Sequence, residues 1–367
     1  MARQLRAQIN LQAIASNYAL AKAQAPAAAA LAVVKADAYG HGAVAVAQAL
    51  SQADAFAVAA IEEALELREA GITQPILLLE GFFEADELAL IQSHRLWSAL
   101  HHPAQLQVLM SFLERSDAQA GWHIWLKVDS GMHRLGFMPE QVPEVLNTLQ
   151  RHPKIAQVVL MSHFACADEP SPDKTLVQLQ QMQKLMQCLP KSQALPISLS
   201  NSAAVMAWPQ AHHQWLRPGL MLYGASPFAQ PQPLAAALKP AMTLTTPIIA
   251  LREVEAGETV GYGANFTATR RSRIATLAVG YADGYPRHAP NGTPVALLGH
   301  RASLAGRVSM DMITVDLTDL PQAQIGDEVE LWGAQVAVEE VARLSGTIPY
   351  TLLSGLTRRV KRVYSVP

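Results

Sequence analysis

The chain has 367 residues, half of them apolar, enough to bury a large core as two domains or as one barrel with an appendage. A net charge of −2 and a pI near 6.6 supply no basic surface for nucleic acid or an anionic membrane. No apolar run reaches the roughly 18 residues of a membrane span, the polar start Met1-Ala2-Arg3 lacks a signal peptide's apolar stretch, and Cys166 and Cys188 lack metal-ligand spacing, so a cytoplasmic protein without a metal is expected.

Residues 2–10 alternate weakly, which suits an added strand in either domain. Asn10 stands where it caps a helix over 11–24. Short apolar runs then alternate with segments of helical period. Strands are expected at 30–35, 55–60, 75–80, 96–100, 123–128, 156–161, 196–200 and 215–223. Helices are expected at 42–53, 61–70, 83–92, 103–115, 139–150 and 173–189, the last behind Asp173. Eight strands alternating with helices fit a (β/α)8 barrel of the TIM type, an α/β fold; a doubly wound open sheet would show the same alternation. The stretch Ala225-Ser-Pro-Phe-Ala-Gln-Pro-Gln-Pro-Leu234 reads as a linker. Beyond it, runs at 241–251, 272–279, 294–298, 302–308, 312–316 and 327–332, with one helix at 337–345, read as an all-β domain. The expected division is 1–232 and 233–367, with residues 2–9 as a candidate extra strand of the second domain.

Chemistry collects at the carboxyl ends of the barrel strands, where such barrels build their sites. The first strand runs into Lys35-Ala-Asp-Ala-Tyr39-Gly40-His41-Gly42. A lysine there can enter a pocket, and a desolvated amine gives up its proton and becomes a nucleophile; a lysine snorkelling from a strand end is the plainer alternative. Lys127-Val-Asp129-Ser-Gly-Met-His-Arg134-Leu-Gly-Phe follows the fifth strand, Ser162-His163-Phe-Ala the sixth, Asn201-Ser202-Ala-Ala the seventh, and Arg217-Pro-Gly219-Leu220 the eighth. A guanidinium fork suits a phenolate or a carboxylate, and a serine hydroxyl beside backbone N–H groups suits a dianion. Taken singly, each is an ordinary turn, cap or core residue. In the second domain stand Val260-Gly-Tyr262-Gly-Ala, Gly280-Tyr281-Ala-Asp-Gly-Tyr-Pro-Arg287 and Gly306-Arg307-Val-Ser-Met310-Asp311-Met.

In this order, from Lys35 to Val363, these motifs resemble those of the alanine racemases, enzymes that use pyridoxal 5′-phosphate. The resemblance implies that Lys35 carries the cofactor and acts as one catalytic base, and that Tyr262 is the second. It implies Tyr39, Ser202, Gly219 and Leu220 around the cofactor phosphate, Arg217 at the ring nitrogen and His163 against the ring. Arg134 would contact both the cofactor and the substrate carboxylate. Lys127, carbamylated in some members, would hold that arginine. Asp168, Tyr281, Arg287, Arg307 and Asp311 would line the pocket and its mouth, with Met310 touching substrate. Family precedent places Tyr262 and Met310 in the site of the other subunit of a homodimer. Near Arg358 some members set a tyrosine on the phosphate. The tail departs from a common pattern that has cysteine at Ser354 and proline at Lys361.

The implied activity is interconversion of L- and D-alanine by two bases, supplying D-alanine for peptidoglycan. Two other readings share the cofactor. Decarboxylases of related fold typically carry a glycine-rich phosphate loop and a Cys-Asp pair, where this chain has Asn201-Ser202 and Ser309-Met310-Asp311. A non-enzymatic pyridoxal-phosphate carrier would lack residues 241–367.

Overall fold

The computed structural model describes residues 4–169, 171, 173–189 and 195–365; residues 2 and 3 of the expected first strand lie outside them. Strand β1 (Arg6–Asn10) leads directly into α1 (Leu11–Ala23), and the Asn10 side chain accepts the Ala13 N–H at 2.9 Å, as its cap position demands. Eight parallel strands follow: β2 (Ala29–Val33), β3 (Ala55–Val58), β4 (Ile76–Leu78), β5 (Trp97–Leu100), β6 (Trp122–Lys127), β7 (Ile155–Met161), β8 (Ile197–Ser198) and β9 (Trp215–Leu216). They pair in the order β8-β7-β6-β5-β4-β3-β2-β9. The ring closes where the Arg217 N–H donates to Ser200 O at 2.9 Å and Ser198 Oγ donates to Trp215 O at 2.9 Å. Between the strands lie α2 (Lys35–Gly40), α3 (Ala43–Ala49), α4 (Ile61–Glu69), α5 (Glu87–Ser93), α6 (Pro103–Leu113), α7 (Val142–Arg151), α8 (Asp173–Cys188) and α9 (Ser202–Ala207). The protein is therefore a (β/α)8 barrel joined to a β domain, the expected α/β class.

Two local expectations shift. The apolar run 215–223 supplies only a two-residue strand, because Pro218 has no N–H for a ladder and residues 220–223 turn into a 3₁₀ helix. Lys35 does not end a strand either: β2 stops at Val33 and Lys35 opens α2.

The second domain is built on β10 (Met242–Val254), a 13-residue strand with an irregularity between Ile248 and Ala250. One half pairs with β17 (Glu328–Trp332), the other with β13 (Ser272–Leu277). With β14 (Pro294–Leu297), β15 (His300–Leu304) and β16 (Ile313–Asp316), the order β13-β16-β15-β14-β17-β10 closes on itself through the β10–β13 pairing. A short ribbon, β11 (Thr259–Val260) with β12 (Phe266–Thr267), stands apart. The helices α10 (Val338–Leu344) and α11 (Pro349–Ser354) precede β18 (Lys361–Ser365). Strand β1 joins this domain, antiparallel to β10 and parallel to β18, so both ends of the described chain lie in one sheet.

The amino-terminal mouth of the barrel is closed by tryptophans: Trp97 and Trp125 each meet Trp215 with centroids 5.5 Å apart. Edge-to-face rings of this size bury much apolar area and fix the strands that carry them. A cavity of about 810 Å³ opens beside Trp97 and His123 at this mouth, on the opposite side from the strand-end motifs.

Candidate active site

At the carboxyl mouth lies a cavity of about 840 Å³. Its wall brings together Lys35, Tyr39, Lys127, Arg134, His163, Asp168, Ser202, Arg217, Gly219 and Leu220, all ten of the barrel residues singled out from the sequence. They arrive from five strand ends, those of β2, β6, β7, β8 and β9, which is how this fold assembles chemistry from distant segments.

Lys35 is held by an unusual turn. Ala36, Asp37, Ala38 and Tyr39 all have φ between 51° and 53°, a full left-handed turn with no glycine in it. Such residues cost about 1–2 kcal/mol each, so the surroundings must hold them. Glu63 Oε1 accepts the Ala36 N–H at 2.6 Å, and Asp37 Oδ1 accepts the Ala43 N–H at 2.8 Å. The His41 ring nitrogen Nδ1 lies 3.0 Å from Ala38 O and 2.9 Å from Tyr39 O. Burial pushes the His41 pKa down to about 4, so the ring is neutral and Nδ1–H is the donor to those carbonyls. From the other domain, Arg362 Nε donates to Gly40 O at 3.1 Å, and a Cβ at Gly40 would stand 2.2 Å from Leu353 O. The turn delivers Tyr39 onto Tyr223, with centroids 4.8 Å apart. Burial keeps the Tyr39 phenol protonated by raising its pKa well above the usual value.

The Tyr39 hydroxyl overhangs Gly219, where an added Cβ would come within 2.7 Å of it. Beside it, Ser202 Oγ accepts the N–H groups of Gly219 at 2.9 Å and Met221 at 3.3 Å. Both lone pairs of the hydroxyl are thereby used, and its proton is left to donate elsewhere.

Arg217 is buried and tightly placed. Nη1 donates to Ser198 O at 2.8 Å and Ser198 Oγ at 2.6 Å, and Nη2 to Ser162 O at 2.6 Å. Burial lowers its pKa to about 10, so it stays a cation. Nη2 also lies 3.4 Å from His163 Nδ1. His163 is kept neutral by burial and by Arg217, which hold its pKa well below the ordinary range, and it can accept that contact. Lys127 is similarly affected: burial, then Arg217 and Arg134, push its pKa down to about 8, leaving about a tenth of it as free amine at neutrality.

Arg134 rides on a closed loop. The Asp129 N–H donates to Phe137 O and the Phe137 N–H to Lys127 O, each at 2.9 Å. Burial pushes the Asp129 pKa up, but the amides of His133 and Gly131 outweigh it and the carboxylate stays ionised. No side-chain hydrogen bond holds Arg134 among the described residues, which leaves its fork open to the cavity.

Tyr350 of α11 also lines the cavity, at 5.9 Å centroid distance from Tyr39, with its pKa pushed up to about 12 by burial and Asp168. Sequence reasoning missed it. The one signal was the tyrosine that some racemases carry near Arg358, and Arg358 itself is exposed and off the cavity wall.

The second-domain residues lie elsewhere. Tyr262, at the tip of the β11–β12 ribbon between Gly261 (φ 78°) and Gly263 (φ 73°), is 69 % exposed. Met310 is 53 % exposed and Tyr281 40 %. The Arg307 backbone packs on Gly261, Arg287 lies over the Tyr281 ring at 5.8 Å, and Arg359 holds Asp311 at 2.6 Å while also pairing with buried Asp283. None of Tyr262, Tyr281, Arg287, Arg307, Met310 and Asp311 reaches the cavity of its own chain.

A family profile described as "Alanine racemase, N-terminal domain" matches residues 9–227, and one described as "Alanine racemase, C-terminal domain" matches residues 241–364. The chain is 53 % identical over 362 residues to an alanine racemase of Pseudomonas taetrolens, and equally to a protein of Pseudomonas putida named "Alanine racemase, catabolic", covering 99 % of each chain. Its fold superposes with a TM-score of 0.94 on the biosynthetic alanine racemase of Pseudomonas aeruginosa, at 51 % identity and full coverage of both chains.

Proposed function

The chain belongs to the alanine racemase family of pyridoxal-phosphate enzymes, and on that premise we propose that Lys35 and Tyr262 are its two bases, drawn from two copies of the chain. The activity is the interconversion of L- and D-alanine.

The cavity fits the cofactor. The free proton of Ser202 Oγ and the Tyr39 hydroxyl above the bare Gly219 form a cradle for a phosphate, closed by Leu220 and Tyr350. Arg217 is assigned to the pyridine nitrogen: as a permanent cation it donates a hydrogen bond and gives no proton. His163 flanks the ring, and Arg134 offers its fork to the phenolic oxygen and the substrate carboxylate. Lys127, part free amine, is the residue to carry a carbamate that holds Arg134. The bound cofactor supplies an electron sink that makes the substrate Cα proton acidic.

Lys35 would hold the cofactor, and its amine would take or return the substrate Cα proton on one face. Tyr262 does the same on the other. Removal on one face and delivery on the opposite face inverts the centre. The single observation that carries this reading is the pairing of a complete barrel cavity with an exposed Tyr262 that cannot reach it. Tyr262, Met310 and Tyr281 are exposed, and Arg287 lies over the Tyr281 ring; a homodimer would bring these residues, with Arg307 and Asp311, over the partner's cavity, where Asp168 stands at the wall.

The chain is divided at 1–232 and 233–367, with β1 lent to the second part. We place the enzyme in the cytoplasm, where D-alanine for peptidoglycan is needed; no described helix is long and apolar enough to cross a membrane. Purified protein incubated with L-alanine is expected to form D-alanine only with cofactor present. Lys35→Ala is expected to lose both that activity and the visible absorbance of bound cofactor. Full activity in the variant would refute the assignment. Growth of a D-alanine-requiring bacterium on the expressed gene tests the physiological role.

A further inference from the structure

We propose that Gln178, on α8 outside every motif named so far, is a positioning residue that locks the Arg134 loop to the His163 loop; this deepens the reading of the cavity as the racemisation site and rests on it.

Gln178 is 1 % exposed. Its Oε1 accepts the Ala165 N–H at 2.9 Å. Its Nε2 donates to His163 O at 2.9 Å and to Ser130 Oγ at 3.1 Å. The stem packs against Gly131, whose added Cβ would stand 3.5 Å from Gln178 Cγ. Both donors of the amide and its carbonyl are satisfied, with no water needed. Ser130 continues the link, 2.8 Å from Ser162 Oγ, and Ser162 Oγ donates to Val128 O at 2.8 Å.

One side chain thus grips two loops from neighbouring barrel strands. The first, after β6, presents Arg134; the second, after β7, presents His163 and, through Ser162 O, one of the anchors of Arg217. Burying a long polar side chain is costly unless every group is paired. A surface-facing glutamine would stabilise α8 equally well, so the fully paired burial here serves the loops. Without it the two loops keep only the Ser130–Ser162 and Ser162–Val128 hydrogen bonds at their base, and the Ala165 end of the His163 loop loses its tie to the Arg134 loop. A displacement near 1 Å at a positioning group costs on the order of a hundredfold in rate.

The test compares wild type with Gln178→Met, which keeps length and loses all three hydrogen bonds, and with Gln178→Glu, which loses both donors. The expected result has two parts. In the holoenzyme kcat/KM falls on the order of tenfold to a hundredfold, mostly through a raised KM for alanine as Arg134 drifts, while visible absorbance shows the cofactor still bound. In the cofactor-free protein, amide exchange accelerates together in segments 129–137 and 162–167 and not in α4 or α6. Kinetics within about twofold of wild type, or unchanged exchange in either segment, overturns the proposal. If the methionine variant fails to fold, the glutamate variant decides by the same two readouts. If wild type itself fails to racemise alanine, the functional reading falls, and exchange alone decides whether Gln178 locks the loops.

Discussion

An added methyl at Gly219 would meet the Tyr39 hydroxyl at 2.7 Å. Gly219→Ala therefore crowds that approach. It is expected to weaken cofactor binding by about tenfold, the low end of an overpacking cost, and Tyr39→Phe in that background is expected to recover part of the loss. Cofactor titration of the dialysed protein measures both; a Gly219→Ala protein with wild-type affinity would separate the Tyr39 hydroxyl from the phosphate cradle. His41 makes a second residue-level prediction. Its native pKa is about 4 against the ordinary 6.5, because it is sealed from water. The unfolded chain takes up a proton as pH falls below 6.5 and the native protein does not until about 4. Stability present above the higher value is lost across that window, by up to about 3 kcal/mol. His163, also held well below its ordinary range, acts in the same direction. Urea midpoints of the cofactor-free protein at about pH 7 and about pH 4.5 should show it. His41→Gln should flatten the slope, and an equal slope in the variant would point to other groups.

The left-handed turn sets the expectation for α2 as an element. Ala36 is exposed and sits at φ 52°. Ala36→Gly removes a penalty of about 1–2 kcal/mol and adds a glycine entropy cost of about 0.5–1 kcal/mol. The net expectation is a gain of up to about 1.5 kcal/mol, read as a higher denaturant midpoint; a loss would mean that the turn is not strained in the native protein. This turn also marks where sequence reasoning ran out. Ala-Asp-Ala-Tyr contains none of the glycine or asparagine that signals left-handed backbone, and its supports, Glu63, Leu353 and Arg362, lie far along the chain. The barrel strands were legible because buried parallel strands are short continuous apolar runs, and α1 because Asn10 announces it. Strand β18 was not: Lys361-Arg-Val-Tyr-Ser lacks an apolar run and is a strand only because β1 pairs with it. Gln178 was equally silent, one glutamine among several on a helix, distinguished only by what it faces. The ten barrel residues that line the cavity were readable as motifs, whereas the separation of Tyr262 from that cavity in its own chain needed coordinates.

At the scale of the molecule, the proposed sharing of a site between copies makes complementation a test. Lys35→Ala and Tyr262→Phe should each be nearly inactive, since a lost base costs about 10²–10⁴-fold. In a mixed dimer both lesions fall in one site and the other is intact. Random reassortment of equal amounts should therefore restore about a quarter of wild-type activity. A mixture no more active than its parts would place both bases in one chain. The interleaving of the two domains has a kinetic corollary. Ile9 and Ser365, 356 positions apart, share a hydrogen bond in the sheet, and the Arg362 contact with Gly40 spans 322. Contacts of such long separation form late, after the loops between them have closed. The barrel can assemble from neighbours in sequence, yet the clamp on its lysine-bearing turn is complete only when the far end of the chain arrives. Loading of the cofactor thus becomes a readout of finished folding: a chain stalled with β18 undocked would hold a barrel whose turn lacks the Arg362 contact, and is expected to show itself by colouring poorly.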